Sequence, residues 1–137
     1  MVKRKLLLSA CVIVTVIAVV TTGCGVTRFT FGGSSSAKIA AAKADLATMS
    51  SAMQAFRLDC DRYPTNGERF DALLRGPKGL KDWKGPYMAK PVPLDPWGHP
   101  YVYRVPGPGG SDFCITSYGS DGDPGGSGDA ADIAEVG

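Results

Sequence analysis

The C-terminal quarter of the chain lacks Lys and Arg altogether. Residues 105–137 carry six acidic side chains and no basic one, whereas residues 24–104 carry 12 basic and 7 acidic side chains. The formal net charge of +2 therefore hides a basic body that is followed by an acidic tail. The Lys and Arg residues are scattered singly rather than clustered with aromatic residues, which argues against a nucleic-acid-binding protein.

The chain also lacks the residue groupings of common active sites. Its single histidine, His99, lies in a Pro- and Trp-rich turn without a Ser or Cys nucleophile in a known motif. The sequence has no glycine-rich phosphate-binding motif. Asp59 and Asp61 flank Cys60 at a predicted helix end, where a solvated role is more common than acid–base catalysis. The sequence therefore predicts that the protein is not an enzyme.

The N-terminal segment has no acidic residue before Asp45. Residues 6–23 form one apolar run that is just long enough to span a bilayer as a helix, and three basic residues at positions 3–5 precede it. Residues 1–24 are therefore a retained membrane anchor, a cleaved signal peptide or a lipoprotein signal with the lipid on Cys24. All three alternatives predict a protein of the cell envelope whose globular part is periplasmic or extracellular.

Only two cysteines, Cys60 and Cys114, lie in the body of the chain. They have neither metal-site spacing nor a catalytic histidine partner, so an extracytoplasmic location favours a disulfide between them. Closing a loop of roughly 54 residues would stabilise the fold by about 4 kcal/mol in the chain-entropy treatment. The alternative is a pair of buried free thiols.

A long amphipathic helix is the clearest element of the sequence. Residues 25–36 are predicted to be a linker, with Ser36 as the cap of the helix that follows. Residues 37–58 contain neither Gly nor Pro, and apolar side chains recur there at steps of three and four, which predicts a helix of about 20 residues. The apolar stripe consists of Ile39, Ala42, Leu46, Met49, Met53 and Phe56. The Tyr63-Pro64 pair then marks its end.

Shorter elements follow the helix. Thr65 is predicted to begin a short helix, and residues 95–98 have the preferences of a type I turn. Residues 100–105 and 112–118 are predicted strands of a hairpin, which gives an α+β fold. Five aromatic residues are expected to close the small core rather than to form a binding face: Tyr63, Tyr87, Trp97, Tyr101 and Tyr103.

The acidic tail is also rich in glycine. Asp121, Asp123, Asp129 and Asp132 lie within twelve residues, among glycines that allow tight backbone folding. Carboxylate and carbonyl oxygens are the ligands that calcium prefers, but the spacing is not that of an EF-hand. The composition by itself leaves two alternatives open, a calcium-binding loop and a disordered acidic tail.

Four motifs in order resemble a known family. They are Arg62-Tyr63-Pro64-Thr65, Gly85-Pro86-Tyr87, Asp95-Pro96-Trp97-Gly98 with Pro100-Tyr101, and Gly119-Ser120-Asp121-Gly122 with Gly125-Gly126 and Asp132-Ile133. Over about 100 residues, from Ala37 to Ile133, their order and spacing are similar to those of the major pseudopilin of type II secretion systems.

The resemblance implies a pilin-like fold for residues 37–137, with a long N-terminal helix packed on a small antiparallel sheet. It implies one calcium ion in the tail loop, bound by Asp121, Asp132 and Asp129, with backbone carbonyls near Ser117 and Tyr118 helping. It also implies a structural subunit or accessory of a fibre that assists protein export. The implied partners are other pseudopilins, further copies of the chain and inner-membrane components of the secretion system.

The N-terminal segment departs from the family pattern. Members of this family begin with a short basic leader, a Gly cleaved by the prepilin peptidase and a Glu five residues into the mature helix. This chain has no such Gly, and Gly32-Gly33 with three serines separates its apolar run from the predicted helix. The departure predicts an alternative, a stand-alone membrane-anchored, calcium-stabilised binding domain that does not polymerise.

Overall fold

A computed structural model describes residues 34–137. The predicted anchor over residues 1–24, the possible lipid site at Cys24 and residues 25–33 of the predicted linker lie outside the described residues. Within residues 34–137, no helix is both long and apolar enough to cross a membrane.

A long helix, α1, spans Ser35–Cys60 and contains 26 residues. The predicted apolar stripe is confirmed, because five of its six members are buried and Ile39 is half-buried. The predicted start is wrong, since Ser36 lies inside α1 and Ser34 occupies the cap position, without a side-chain hydrogen bond that caps the helix backbone. The helix ends at Cys60, and the residue that caps it, Asp61, has a left-handed backbone conformation with φ of 55°.

Three short antiparallel strands lie against α1. They are β1 (Val102–Arg104), β2 (Cys114–Ser117) and β3 (Ile133–Val136), in the order β1-β2-β3. β1 and β2 form the predicted hairpin, with Tyr103 opposite Ile115. β3 was not predicted; it pairs with β2 and packs against α1. The α+β, pilin-like arrangement of one long helix on a small antiparallel sheet is therefore confirmed.

The core lies between the buried stripe of α1 and the inner face of the sheet. Phe113 and Ile115 point into it and are fully buried. Aromatic rings fill the remaining space, with the Tyr63 and Phe113 ring centroids 4.8 Å apart. The expectation that aromatic residues close the core is confirmed for Tyr101 and Tyr103, which are both buried.

Tyrosine hydroxyls tie the core to its surroundings. Tyr101 donates to a carboxylate oxygen of Asp45 on α1 at 2.9 Å, and Tyr103 donates to the Pro64 carbonyl oxygen at 2.8 Å. Burial raises the pKa of both phenols, and for Tyr101 the nearby Asp45 carboxylate raises the pKa further. Both groups therefore stay neutral donors at physiological pH.

The predicted disulfide is not formed. Cys60 and Cys114 are free thiols, the first half-buried at the end of α1 and the second buried in β2. Successive side chains of a strand point to opposite faces, so Cys114 lies on the face away from the core, where its sulfur is 3.4 Å from the Thr116 hydroxyl. Cys60 instead packs against the core side. The disulfide prediction is therefore corrected to two separate thiols.

A capped turn connects α1 to a second helix, α2, at Asp71–Leu74. The Glu68 carboxylate accepts the Thr65 N–H at 2.8 Å, and the Thr65 hydroxyl accepts the Glu68 N–H at 3.2 Å, which is a capping box. Arg69 has φ of 47° and interrupts the helix that Thr65 was predicted to begin. The predicted short helix is thus reduced to the four residues of α2.

Acid is expected to weaken this turn. Two hydrogen bonds from Arg62, at 2.7 and 2.8 Å, lower the pKa of Glu68 from 4.5 to about 2, and the Thr65 contacts add to them against the cost of burial. The folded pKa is depressed, so the stabilisation is complete above pH 4.5 and disappears as the pH falls towards 2. The two side chains are 35% and 24% exposed, so we expect only about 1–2 kcal/mol.

This expectation is checked by denaturant unfolding between pH 2 and pH 6. Glu68→Gln removes the titrating group, so its free energy of unfolding should fall less steeply than that of the unmodified protein below pH 4.5. Asp82→Asn is the control, because Asp82 is exposed and has no ion-pair partner within residues 34–137. Equal slopes for the unmodified protein and Glu68→Gln would contradict the assignment.

Candidate functional site

The acidic tail forms a closed loop between β2 and β3. We call residues 118–132 the acidic loop; its backbone is bridged by Ser120 N–H to the Asp129 carbonyl oxygen at 2.9 Å and by Asp132 N–H to the Gly125 carbonyl oxygen at 3.2 Å. The Asp132 carboxylate also accepts the Gly125 N–H at 2.9 Å. The loop therefore has a defined fold, and the alternative of a disordered tail is wrong.

Close backbone approach requires glycine at two positions of the loop, Gly119 and Gly126. Gly119 has φ of +68°, and a Cβ atom there would lie 2.6 Å from the Asp129 carbonyl oxygen. Gly128 has a similar φ of +62° but no atom within 4 Å of the corresponding position. Position 119 is thus constrained twice, by its backbone conformation and by lack of space.

Gly119 and Gly128 form a matched pair for mutation. Gly128→Ala should cost about 1 kcal/mol from the left-handed conformation alone. Gly119→Ala should cost about 2–3 kcal/mol, because the new methyl group also displaces the backbone around Asp129. Thermal unfolding of both variants measures the difference. Equal losses would show that the two sides of the loop do not approach as closely as described.

A buried carboxylate holds the acidic loop to the body of the protein. Asp95 is only 4% exposed and begins the predicted turn, which is confirmed by the Gly98 N–H donating to the Asp95 carbonyl oxygen at 2.9 Å. One carboxylate oxygen accepts the backbone N–H groups of Trp97 at 3.0 Å and His99 at 2.8 Å. The other accepts the hydroxyl of Ser117 at 2.6 Å. Asp95 therefore joins the turn to the end of β2.

His99 extends this connection into the loop. Its Nδ1 atom lies 3.0 Å from the Gly119 carbonyl oxygen, and because that oxygen only accepts, Nδ1 carries the proton. A Cβ atom at Gly122 would be 3.1 Å from the same ring. The single histidine of the chain is thus engaged in positioning the loop.

The structure places the predicted metal ligands in one loop but not at one point. Asp121 and Asp132 are exposed, and each accepts a backbone N–H, from Asp123 at 3.3 Å and from Gly125 respectively. Asp129 is half-buried and accepts the hydroxyl of Ser35 at the start of α1. Within residues 34–137, no three His, Cys, Asp or Glu side chains converge on a common position.

The other two predicted ligands make different contacts. The Ser117 hydroxyl donates to Asp95 and accepts the Gly119 N–H at 3.3 Å, so this side chain joins the turn to the start of the acidic loop. The Tyr118 hydroxyl lies 3.4 Å from an Arg104 guanidinium nitrogen. Any contribution of these residues to a metal would come from their backbone carbonyls, as the resemblance implies.

The donor chemistry nevertheless fits a hard cation. All side-chain ligands that the loop offers are carboxylates, and residues 105–137 contain no basic side chain to neutralise them. Calcium accepts such oxygen donors in flexible geometries. The chemistry therefore fits calcium, while binding by all three carboxylates requires their side chains to move together.

The hydrogen bonds through which Asp95 and His99 hold the acidic loop do not follow from the sequence patterns. The turn preferences of residues 95–98 predict only the turn itself, and the sequence around His99 argues only against a catalytic role. The available sign was the Asp at the first turn position, since Asp side chains there accept N–H groups two residues ahead. The partner on β2 could not be found that way, because its contact joins residues 22 positions apart.

Comparisons with known proteins agree with this arrangement. The family model described as Type II secretion system (T2SS), protein G, matches residues 30–136. The type II secretion system core protein G of Xanthomonas campestris pv. campestris is 44% identical over 103 residues, which cover 74% of this chain and 68% of the relative. That of Pseudomonas aeruginosa is 39% identical over 100 residues, covering 71% and 70% respectively.

A solved structure is similar as well. The major pseudopilin of the type 2 secretion system of enterohaemorrhagic Escherichia coli superposes with a TM-score of 0.62 and 30% identity, covering 81% of this chain and 96% of that one. The relatives are described as secretion-system core proteins and a pseudopilin rather than as enzymes. The resemblance found from the sequence motifs is confirmed, and the chain belongs to the type II secretion system protein G family.

Proposed function

We propose that the chain is a structural pseudopilin that packs with other pseudopilins, or with further copies of itself, to assist protein export. The observation that carries the proposal is the pilin-like domain itself, in which α1 covers a three-stranded sheet and the acidic loop is hydrogen-bonded to Ser35 of α1 and to His99 of the turn. Such a domain offers a rigid surface for packing, and the part described contains no recognisable catalytic grouping. The proposed role is therefore that of a structural subunit.

The proposed location is the cell envelope. The apolar run at residues 6–23, with basic residues before it, supports a membrane anchor that leaves the globular domain periplasmic or extracellular. Inner-membrane components of the secretion system are then the nearest partners. Mass spectrometry of the mature N-terminus distinguishes a retained helix, a lipid on Cys24 and cleavage.

Crosslinking of the full chain in its host cells tests this function. An assembling subunit gives a ladder of products that contain further copies or other pseudopilins. A strictly monomeric pattern at every crosslinker concentration would contradict the proposal and would support the stand-alone, membrane-anchored binding domain instead.

The finer part of the proposal is a calcium ion in the acidic loop, bound by Asp121, Asp129 and Asp132. Three features support it: the oxygen-only donor set, the absence of basic residues from positions 105–137, and the closed backbone that keeps the carboxylates in one loop. The ion would neutralise the carboxylates and fix the loop between α1 and the sheet.

A further inference from the structure

The chain contains a single asparagine, Asn66, and a glycine follows it. Asn66 and Gly67 are both exposed and lie in the turn between α1 and α2, inside the capping box of Thr65 and Glu68. In an Asn-Gly pair the next backbone nitrogen reaches the side-chain amide most easily, because glycine has no Cβ atom to obstruct it. The turn therefore presents a chemically reactive pair to solvent.

The Asn66 amide also occupies the free edge of the sheet. Val105 follows β1 directly, and within residues 34–137 β1 pairs with β2 alone. The Val105 N–H donates to the Asn66 side-chain oxygen at 2.9 Å, and the Asn66 side-chain nitrogen donates to the Val105 carbonyl oxygen at 2.7 Å. One amide thus bonds both backbone groups of an edge residue, as a neighbouring strand would.

This reciprocal pair joins segments that are 39 positions apart in the chain. The Tyr103 hydroxyl, which donates to the Pro64 carbonyl oxygen at 2.8 Å, holds the same turn to β1 at a second point. The Tyr103 contact is buried, whereas the Asn66 contact is exposed. A chemical change of the Asn66 amide would therefore loosen the turn from the sheet edge without removing the buried contact.

We propose that Asn66-Gly67 is a site of spontaneous deamidation, and that this modification releases the turn from the edge of β1. The Gly67 backbone nitrogen bonds to the Asn66 side-chain carbon, and the bond from that carbon to the amide nitrogen breaks. The amide nitrogen takes the Gly67 proton and leaves as ammonia. Water then opens the cyclic imide at either carbonyl carbon, which gives aspartate or isoaspartate. No group is oxidised or reduced.

Both products lose the donor that the Val105 carbonyl oxygen accepts. An ionised carboxylate only accepts hydrogen bonds, so its second oxygen would face that carbonyl oxygen across the 2.7 Å that the hydrogen bond now spans. Isoaspartate also adds a carbon atom to the backbone, which displaces Thr65 relative to Glu68 in the capping box. The modified chain therefore leaves the edge of β1 open for pairing with another strand.

The hydrogen bonds of the turn limit the reaction. Imide formation requires the Asn66 side chain to leave Val105 and to turn back onto the Gly67 nitrogen. The capping box and the two hydrogen bonds from Arg62 to Glu68 resist this movement. Deamidation is therefore slower in the folded chain than in a flexible peptide, and it proceeds when the turn opens locally.

Mass spectrometry of the full chain in mild detergent, aged at mildly alkaline pH, tests the site. Deamidation replaces an NH2 group with an OH group, and in water enriched with heavy oxygen the product carries one heavy atom from solvent. Because the chain has one asparagine and one glutamine, Gln54, a single peptide map assigns the change. The expected product is a mixture of aspartate and isoaspartate at position 66.

Gly67→Ala tests the attacking atom. The new methyl group shields the backbone nitrogen and should slow deamidation at least about tenfold. The fold tolerates this substitution, because a Cβ atom at position 67 would meet nothing closer than the Thr65 hydroxyl oxygen at 3.9 Å.

Glu68→Ala tests the control by the turn. It removes the Arg62 and Thr65 contacts and should accelerate deamidation about fivefold by opening the turn more often. Asp123→Ala, an exposed change in the acidic loop, is the control and should leave the rate unchanged.

Hydrogen exchange measures the release of the sheet edge. In the isoaspartate fraction, separated by ion exchange, exchange of the Val105 N–H should be about tenfold faster than in the unmodified chain. Asn66→Asp should show only part of this effect, because its carboxylate still accepts the Val105 N–H. Exchange in the middle of α1 should stay the same.

Three results would overturn the inference. An unchanged mass of the aged chain, while a peptide of residues 62–71 deamidates under the same conditions, would show that the fold blocks the reaction. An equal rate in Gly67→Ala would refute attack by the backbone nitrogen. Deamidation without faster exchange at Val105 would refute the release of the edge. Each of these results leaves the proposed function standing, because crosslinking in cells tests that function separately.

Discussion

Replacing Asp95 by alanine is expected to lower the free energy of unfolding by about 3 kcal/mol. The carboxylate is buried and accepts three hydrogen bonds, from the backbone N–H groups of Trp97 and His99 and from the Ser117 hydroxyl. Alanine leaves these donors without an acceptor in a buried place, and the cost of an unsatisfied buried donor exceeds the net value of the bond it made.

The effect should also reach the acidic loop. Asp95 holds Ser117 at the end of β2, and His99 in the same turn holds the Gly119 carbonyl oxygen at the start of the loop. When the turn loosens, Gly119 is no longer held in place, and the neighbouring hydrogen bond between Ser120 and Asp129 opens more often. Hydrogen exchange in residues 118–132 should therefore accelerate in Asp95→Ala. Exchange in the middle of α1 should accelerate only as far as the free energy of global unfolding falls.

Two milder variants separate the parts of this network. Asp95→Asn keeps an oxygen for the two backbone donors, and Ser117→Ala removes the hydroxyl that donates to Asp95 and accepts the Gly119 N–H at 3.3 Å. Each should cost about half as much as Asp95→Ala or less. Chemical denaturation of the three variants measures the order. An Asp95→Ala variant as stable as the unmodified protein would show that the carboxylate does not hold the turn to the sheet.

Chelation of calcium is expected to lower the thermal stability of the full chain. An ion that binds only the folded state at about 100 times its dissociation constant contributes about 2.7 kcal/mol. Asp121→Ala should lose much of that contribution, and adding chelator to this variant should have little further effect. The two changes are non-additive because both remove the same ion.

Asp123→Ala is the matched control for this prediction. Asp123 is exposed in the same loop, and only its backbone N–H is engaged, with the Asp121 carboxylate. Its replacement should leave the response to chelator intact. The measurement is the melting temperature with calcium, with chelator and with calcium restored. A melting temperature of the unmodified protein that chelator does not change would refute the calcium proposal.

The long helix and the hairpin were predictable because their causes are local. Steps of three and four between apolar residues determine which side of α1 is buried, and turn residues determine where the hairpin reverses. The four ordered motifs predicted the fold family through their resemblance to the major pseudopilins of type II secretion systems. The helix, the turn and each single motif depend on residues close together in the chain.

The missed features depend on distant contacts. β3 is four residues long, and its neighbours are rich in Gly and Asp, so only its pairing with β2 makes it a strand. The erroneous disulfide came from counting cysteines without the alternation of β2, which turns Cys114 away from the core. Helix α1 begins before Ser36 because a helix end is set weakly by sequence.

The candidate site was predicted only in part. The position and glycine-rich nature of the acidic loop follow from the sequence, as does the grouping of its carboxylates. The attachment of Asp129 to Ser35 and of His99 to Gly119 joins residues far apart in the chain, and no periodicity indicates such contacts. The calcium ligands stay a prediction.

Export by host cells tests the central claim, a structural role in type II secretion, most directly. The fraction of a type II substrate found outside cells is measured with the chain removed, with the full chain restored, and with Asp95→Ala or Asp123→Ala in its place. The account predicts that removal holds the substrate inside, that the full chain and Asp123→Ala restore export, and that Asp95→Ala restores it poorly. Unchanged export in cells that lack the chain would contradict the account.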